Sequence, residues 1–280
     1  MVLKKHKRAT IALGTLVEVS LWLDEEQDPQ ESFATAYEAI RQVHKHMSLH
    51  DDNSDLGRYR LANVGDTIEI NAHTALVLHC AEILWKETQG YFDVCIGNVL
   101  IKQHYHPLSW LYGKEPLISN RQPLFITMQN GLNFLTKTTE GQCIDLGGIA
   151  KGYAVDCAIK ALQDNGVPAA MVNAGGDMRI YGEMTEKIHL RIEDCEFIPL
   201  CELKNQALAS SAHLSNLQDI PKDYLPIVDP YTCQCVAHNH KTMSVLADTA
   251  MIADALTKLA WLNKLDDNIL HRYNSTLIRH

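Results

Sequence analysis

The spacing of apolar residues along the chain predicts a mixture of helices and strands. Apolar residues recur at three- and four-residue steps, as on one face of a helix, in Ser32–Met47, Ala72–Thr88 and Thr249–Trp261. Short apolar or alternating runs bounded by turn residues predict strands. These runs are Ile11–Leu23, Phe125–Met128, Leu132–Leu135, Ala169–Asn173, Met178–Tyr181, Ile188–Ile192, Ile198–Glu202, Leu208–His213, Pro226–Asp229 and Thr242–Leu246. Because strands come in runs, without regular strand–helix alternation, the pattern indicates an α+β fold, and we expect a single domain over residues 1–280.

A glycine-rich stretch, Cys143–Asp156, lies at the centre of the chain. It is predicted to form a short strand, a glycine turn and the first turns of a helix that continues to about Asp164. Gly147 and Gly148 allow positive φ angles and a close approach of a ligand to the backbone. The N-terminus of the following helix and the ammonium of Lys151 favour a phosphate group. A tight turn with a solvated lysine explains the same residues equally well.

Three further clusters of glycine, aspartate or serine stand at predicted strand ends: Phe92-Asp93, Gly175-Gly176-Asp177 and Ala209-Ser210-Ser211. Backbone donors and carboxylates at several strand ends suit a phosphorylated ligand together with a divalent cation. Each cluster alone is weak evidence for a ligand site, but together with the central stretch the three clusters predict a nucleotide-sized site.

The composition narrows the classes of partner. The 280 residues carry a net charge of −9, which argues against sequence-independent nucleic-acid binding, because that binding needs a basic face. No apolar run is long enough to span a membrane. Basic residues at positions 4–8 before an apolar run resemble a weak signal peptide, but Glu18 interrupts that run and the alternation around it favours a strand. The eight cysteines are scattered, which indicates reduced thiols and a cytoplasmic protein.

A zinc site is a second hypothesis for the region near residue 235. Cys233, Cys235, His238 and His240 are soft ligands close together in sequence. Their spacing matches none of the usual structural zinc motifs, so turn and strand-face roles are favoured.

The segment from Lys102 to Pro123 is predicted to be an irregular surface excursion, with His104 and His106 on its surface. Ser211 and His213 lack the strand–turn–helix context of a hydrolase nucleophile.

The order and content of the motifs resemble the ApbE family, the FAD:protein FMN transferases. The resemblance is carried by Leu13–Glu18, Met47-Ser48 with Ser54–Leu56, Phe92-Asp93 with Gly97, Asp145–Asp156, Val172–Asp177, Ala209–Ser211, Asp229-Pro230 with Thr232, and Ala253–Leu256. The match over Asp145–Asp156 is the most specific, and the joint order of the motifs is more specific still.

The resemblance implies a T-fold-like α+β architecture, with antiparallel sheets and packed helices, that binds FAD. It implies cleavage of the FAD pyrophosphate and transfer of FMN to a threonine hydroxyl of an acceptor protein, with release of AMP. It also implies Mg²⁺, which would neutralise the pyrophosphate and the leaving phosphate.

By the same resemblance, each motif residue receives an expected role. The metal ligands would be Asp254, Thr257 and the backbone carbonyl of Ala150. The catalytic residues would be Asp254, Thr257 and Lys258. The FAD site would be lined by Ser48, Phe92, Asp93, Asp145, Gly147, Gly148, Lys151, Gly175, Gly176, Asp177, Ser211 and Asp229.

The chain departs from the family pattern at two chemically important positions. Pro226 stands where the family has a histidine that is a candidate base, and Lys258 stands where the family has a metal-binding threonine. Thr257 comes one position earlier, on a helix face rotated by about 100°. A lysine at this point would oppose a metal or replace part of its charge. The alternative hypothesis is therefore a protein of the same fold that binds FAD, or hydrolyses it slowly, without transferring FMN.

Overall fold

The computed structural model describes residues 3–103, 123–191, 197–211, 224–237 and 242–279. The helices in these ranges are α1 (Pro29–Met47), α2 (Asp55–Leu61), α3 (Ala72–Glu87), α4 (Gly97–Lys102), α5 (Ala150–Asp164), α6 (Ala250–Trp261) and α7 (Asp267–Arg272). The strands are β1 (Lys4–Ala12), β2 (Thr15–Leu23), β3 (Thr67–Ile70), β4 (Phe125–Gln129), β5 (Leu132–Thr136), β6 (Ala169–Ala174), β7 (Asp177–Tyr181), β8 (Glu186–Arg191), β9 (Phe197–Leu203), β10 (Ala207–Ser211), β11 (Tyr224–Asp229), β12 (Gln234–Ala237), β13 (Met243–Ala247) and β14 (Thr276–Arg279).

A large antiparallel sheet organises these elements, in the strand order β1-β2-β6-β7-β10-β13-β14. One face of the sheet, on which Val17, Val19 and Leu21 of β2 are buried, is covered by α1, α5 and α6, with α5 packed between the other two helices. The opposite face places Trp22 and Ile180 under the β8–β9 hairpin. The predicted α+β class is confirmed, because helices and antiparallel strands segregate as that class requires.

The first predicted strand, Ile11–Leu23, is wrong in its extent: the structure has a hairpin in its place. β1 pairs with β2 from Lys4 opposite Leu23 to Ala12 opposite Thr15. The reversal occurs at Leu13 and Gly14, whose φ angles are 53° and 71°. Because Leu13 and its neighbours are apolar, the alternation continues through the turn, and the sequence pattern does not mark the reversal. The basic residues that resemble a signal peptide belong to β1, where Lys7 forms an ion pair of 2.7 Å with Glu18.

The hairpin predicted around Asn130-Gly131 is confirmed as β4 and β5. Both turn residues have positive φ angles, 52° and 80°, as a two-residue hairpin turn requires. The structure adds β3 to the other side of β5, which the sequence pattern does not predict. The elements α2, α4, α7, β12 and β14 are also additions, and each is only four to seven residues long.

The predicted short strand at Cys143 is wrong. Residues 143–146 belong to no strand and run as an irregular buried segment. Two backbone hydrogen bonds hold this segment to the stretch before α4: Asp145 N–H donates to Val94 O (2.8 Å) and Gly97 N–H donates to Cys143 O (3.1 Å). The segment therefore leads directly into the turn before α5.

Several predictions fall wholly or partly outside the described residues. These are the excursion from Lys102 to Pro123 with His104 and His106, and the residues His213, His238 and His240. Of the helices that the structure describes, none is both long enough and apolar enough to cross a membrane.

Candidate functional site

The site is built where the N-terminal turns of α5 and α6 cross. A Cβ atom on Gly152 would lie 2.1 Å from the carbonyl oxygen of Ala250, so the two helices approach more closely than any residue with a side chain would allow. Each helix then caps the other. Asp254 of α6 accepts a hydrogen bond from Gly152 N–H (3.2 Å). Asp156 of α5 accepts from Ala250 N–H (3.0 Å) and Met251 N–H (2.8 Å).

The reciprocal capping changes what the N-terminus of α5 offers to a ligand. The helix begins after Ile149 without a side-chain cap, and the carboxylate of Asp254 satisfies an amide of its first turn. The anion that the sequence predicts at this helix end is therefore, in part, supplied by the protein itself. Arg179 of β7 donates to the other capping carboxylate, Asp156, at 2.7 Å.

Six side chains meet beside this crossing, and we refer to them as the polar cluster. Its members are Lys151, Asp177, Ser211, Asp254, Thr257 and Lys258, from α5, β7, β10 and α6. The ammonium of Lys151 forms an ion pair with Asp177 and lies 3.8 Å from Asp254 Oδ2. The structure thus brings together residues that are more than 100 positions apart in the chain.

Lys258 is surrounded by oxygen atoms. Its ammonium forms an ion pair with Asp254 Oδ1, and lies 3.1 Å from Thr257 Oγ1 and 3.4 Å from Ser211 Oγ. The two hydroxyl oxygens are themselves 2.8 Å apart. The lysine stem packs on the glycine turn, because a Cβ atom on Gly148 would be 3.3 Å from Lys258 Cε. The rotation of about 100° between positions 257 and 258 does not separate the two side chains, since β10 lies within reach of both.

The charges of the polar cluster balance. It contains two carboxylates, Asp177 and Asp254, and two ammonium groups, Lys151 and Lys258. Burial opposes ionisation of Asp254, but the two lysines outweigh it and lower the pKa of that carboxyl. Burial and the charge of Asp254 raise the pKa of Asp177. Burial also opposes the charge of Lys151, but the two carboxylates outweigh it and raise its pKa, so the lysine stays protonated.

The turn between β6 and β7 places Asp177 at the cluster. Gly175 and Gly176 have φ angles of 63° and 103°, which side chains rarely adopt. A Cβ atom on Gly175 would also lie 2.4 Å from Thr15 Oγ1, at the start of β2. Asn173 Oδ1 accepts from Gly176 N–H (2.9 Å) and fixes the turn. The predicted glycine motif is thus required by backbone conformation and by close packing.

A second group of predicted residues precedes α5. Asp145 Oδ1 accepts from Gly147 N–H at 2.9 Å, and burial raises the pKa of this carboxyl. The hydrogen bond from Gly147 N–H opposes that rise in the pKa of Asp145, and the charge of His50 opposes it to a smaller extent. Ser48 is the C-cap of α1, and its carbonyl oxygen accepts from Ser54 Oγ at 2.5 Å. Ala150, the predicted carbonyl ligand, is the first residue of α5 and directly precedes Lys151.

A third group lies around the turn after β11. Asp229 Oδ1 accepts from Tyr231 N–H at 2.8 Å, and Asp93 Oδ1 accepts from Cys95 N–H at 2.8 Å. Burial raises the pKa of the Cys233 thiol, and the charges of Asp229 and Asp93 raise it further. Phe92, by contrast, is a buried core residue, and Pro226 is an exposed residue of β11.

The two cysteines of the zinc hypothesis pack among apolar residues. Cys235 is buried with Val99, Leu100 and Val228, and Cys233 packs against the same group. Within the described ranges, no three His, Cys, Asp or Glu side chains form a group that suits a metal ion. The hypothesis also needs His238 and His240, which lie outside those ranges.

Sequence reasoning missed three residues that support the site. Asp156 caps α6 and binds Arg179, as described above, and neither contact has a signal in the local pattern. Trp261, which the helical periodicity places in the core, is buried and also donates its indole N–H to Ser211 O at 3.1 Å. A buried tryptophan usually needs a hydrogen-bond acceptor for its indole N–H. For Trp261, this need is the sequence's indication of a polar contact.

The donor set around Asp254 does not fit the Mg²⁺ that the resemblance implies. Mg²⁺ requires about six oxygen ligands in near-octahedral geometry. Here the carboxylate of Asp254 accepts from Gly152 N–H and from the ammonium of Lys258, and Thr257 Oγ1 donates to Asp254 O at 2.7 Å. Both carboxylate oxygens of Asp254 and the hydroxyl of Thr257 are therefore already hydrogen-bonded within the protein.

Fold and site together define an α+β protein whose charge-balanced, oxygen-rich cluster is held between two crossed helices and a glycine hairpin. The sequence model of the ApbE family matches residues 13–272. The chain therefore belongs to the ApbE family, as the motif order indicated.

Individual relatives agree with this assignment. The chain is 29% identical over 237 residues to the FAD:protein FMN transferase of Haemophilus influenzae, covering 78% of this chain and 68% of the relative. It is 25% identical over 232 residues to the protein of the same name from Vibrio cholerae serotype O1, covering 78% and 69%.

Solved structures show the same fold. The apo form of the Pseudomonas stutzeri flavinyl transferase ApbE superposes with a TM-score of 0.79 at 20% identity, covering 98% of this chain and 90% of that protein. The flavin transferase ApbE from Vibrio cholerae gives a TM-score of 0.76 at 19% identity, covering 99% and 93%.

Proposed function

We propose that this protein is an FAD:protein FMN transferase. The observation that carries the proposal is the polar cluster beside the Gly147-Gly148 turn in a member of the ApbE family. Two buried carboxylates hold two ammonium groups in place there, and fixed positive charges stabilise negative charge that develops on phosphate oxygens. The names of the Haemophilus and Vibrio relatives support the same reaction.

The proposed reaction exchanges one phosphorus–oxygen bond for another. A hydroxyl oxygen of the acceptor protein, which we expect to be a threonine, bonds to the phosphorus of the FMN half of FAD. The bond from that phosphorus to the bridging oxygen breaks, and AMP leaves with the bridging oxygen. The hydroxyl proton is released to solvent. Phosphoryl transfer of this kind depends on positioning and on neutralisation of charge.

Each part of the site has a proposed task in this reaction. Lys151 and Lys258 would face the pyrophosphate, because their ammonium groups are the cations of the polar cluster. Gly175 and Gly176 would let the backbone approach the flavin nucleotide closely. Asp229 ends β11, three residues after the exposed Pro226. We expect the acceptor to approach this side, where Pro226 stands in place of the family's histidine that would take up the proton.

The cytoplasmic location of the protein stays a prediction.

The test uses the full chain, FAD and a protein that the Vibrio cholerae relative modifies. AMP is quantified by chromatography, and the acceptor is examined for flavin fluorescence after denaturing electrophoresis. The Vibrio enzyme serves as the positive control, and the acceptor with its threonine replaced by alanine serves as the negative control.

We expect AMP and a fluorescent acceptor in equal amounts, with neither product in the threonine-free control. If FAD binds and remains intact while the Vibrio enzyme labels the acceptor, the transferase proposal is wrong. The binding protein without transfer would then be the correct alternative.

A further inference from the structure

We propose that the ammonium of Lys258 takes the place of a divalent cation in this protein, so that the site works without one. The part of this proposal that concerns turnover rests on the proposed function, whereas the part that concerns cation binding does not. The inference comes from the disagreement between the implied Mg²⁺ and the donor set that surrounds Asp254.

The first support is the coordination of the ammonium. An ammonium donates three hydrogen bonds, and three oxygen atoms from two structural elements converge on Lys258 Nζ. They are the carboxylate of Asp254 and the hydroxyls of Thr257 and Ser211. Such a set of oxygen atoms resembles the donors that would bind a hard cation. Here the protein supplies the cation from its own helix.

The second support is the charge balance of the buried cluster. Asp177 and Asp254 carry two negative charges, and Lys151 and Lys258 carry two positive charges. Buried charges are tolerated when they are paired. A divalent ion that approached Asp254 would meet an ammonium already in contact with that carboxylate, and the cluster would gain an uncompensated double charge.

The third support is that the side chain of Lys258 cannot easily move away from the carboxylate of Asp254. Only 20% of its side chain is exposed, and its stem packs against Gly148. Lys160 on α5 provides the contrast, because it pairs with Asp164 at the same four-residue spacing, in the opposite order, while 69% of its side chain is exposed. Withdrawal of Lys258 would also leave the fully buried Asp254 short of a partner.

Cation binding is tested first with Mn²⁺ alone, followed by electron paramagnetic resonance of the free ion. The proteins are the wild type, Lys258→Thr, and Lys160→Thr as the matched control on the exposed pair. We expect Lys258→Thr to bind one Mn²⁺ about tenfold or more tightly than the wild type, the order seen when groups beside a metal ligand change. Lys160→Thr should behave like the wild type.

Tight binding of one Mn²⁺ by the wild type, lost in Asp254→Asn, would overturn the proposal. Equal affinity of the folded Lys258→Thr variant and the wild type would overturn it as well. Should Lys258→Thr fail to fold, the wild-type titration alone decides, because a protein whose cation position is filled binds no Mn²⁺ at Asp254.

AMP release from FAD is then measured with Mg²⁺ and with a chelator. The wild type should be equally active in both, and Lys258→Thr should require Mg²⁺. Loss of wild-type activity in the chelator would overturn the proposal. If the wild type released no AMP under either condition, the proposed function would fail, whereas the Mn²⁺ result would still decide what occupies the site.

Discussion

Two aspartate–lysine pairs with the same four-residue spacing lie on neighbouring helices and differ in nearly every other respect. Asp254 and Lys258 of α6 are 0% and 20% exposed, and they share their charges with Lys151 and Asp177. Lys160 and Asp164 of α5 are 69% and 62% exposed. An exposed pair of this kind stabilises a helix only slightly. The comparison teaches that burial, and the contacts burial brings, decides whether a local charge pattern becomes a site.

Removal of Asp254 should have the largest effect on stability. In Asp254→Ala, Gly152 N–H loses its acceptor, and the ammonium groups of Lys151 and Lys258 lose a carboxylate. Breaking a buried ion pair in this way costs about 3–5 kcal/mol. Urea unfolding of Asp254→Ala and of Asp164→Ala measures the contrast directly. We expect the exposed variant to lose less than about 0.5 kcal/mol, and similar losses in the two proteins would contradict the account.

A methyl group at the helix crossing should have the next largest effect. In Gly152→Ala, the new Cβ atom would lie 2.1 Å from Ala250 O, so α5 and α6 would have to separate. Overpacking of this kind costs about 1–3 kcal/mol, although alanine is the better helix former. Thermal unfolding measures this loss, with Gln163→Ala on the exposed side of α5 as the control. A more stable Gly152→Ala protein would show that the crossing is looser than described.

The reciprocal cap at Asp156 should give a smaller effect. Asp156→Asn keeps the shape of the side chain, but it removes the charge that faces Arg179 and places an amide donor against one of the two backbone N–H groups. Loss of a helix cap typically costs about 1 kcal/mol. Urea unfolding should show this loss, and hydrogen exchange at Ala250 and Met251 should become faster. Unchanged exchange at both amides would argue against the cap.

Elements that depend on local chemistry are the ones the sequence predicts correctly. Asn71 directly precedes the predicted helix Ala72–Thr88, and it caps α3 through a hydrogen bond from His73 N–H (2.9 Å). Thr249, the first residue of the predicted helix Thr249–Trp261, is the N-cap of α6. Asn130 and Gly131 form the predicted hairpin turn for the same reason. The four residues of β3 alternate only over the shortest run that indicates a strand, and their pairing with β5 is a tertiary contact.

The contacts of the site also fall into two groups: those that the sequence indicates and those that depend on tertiary packing. The order of the motifs indicates which residues to examine, and the structure brings Lys151, Asp177 and Asp254 together. Nothing in the local sequence indicates that Asp254 caps a different helix, or that Lys258 and Thr257 both reach Ser211 of β10. These contacts depend on the crossing of α5 with α6, which is set by Gly152 and by the packing of both helices on the sheet. The roles of the site residues, and the single domain, stay predictions.

The measurement that tests the account most directly is AMP release from FAD by Asp254→Asn and by Asp164→Asn, with an acceptor protein present. Both proteins are assayed below their unfolding temperatures, after circular dichroism has verified that they are folded. We expect Asp254→Asn to lose at least about 100-fold in rate, because the preorganised charges of the polar cluster are disturbed, and Asp164→Asn to match the wild type. Equal rates in the two folded variants would show that the chemistry takes place elsewhere in the molecule.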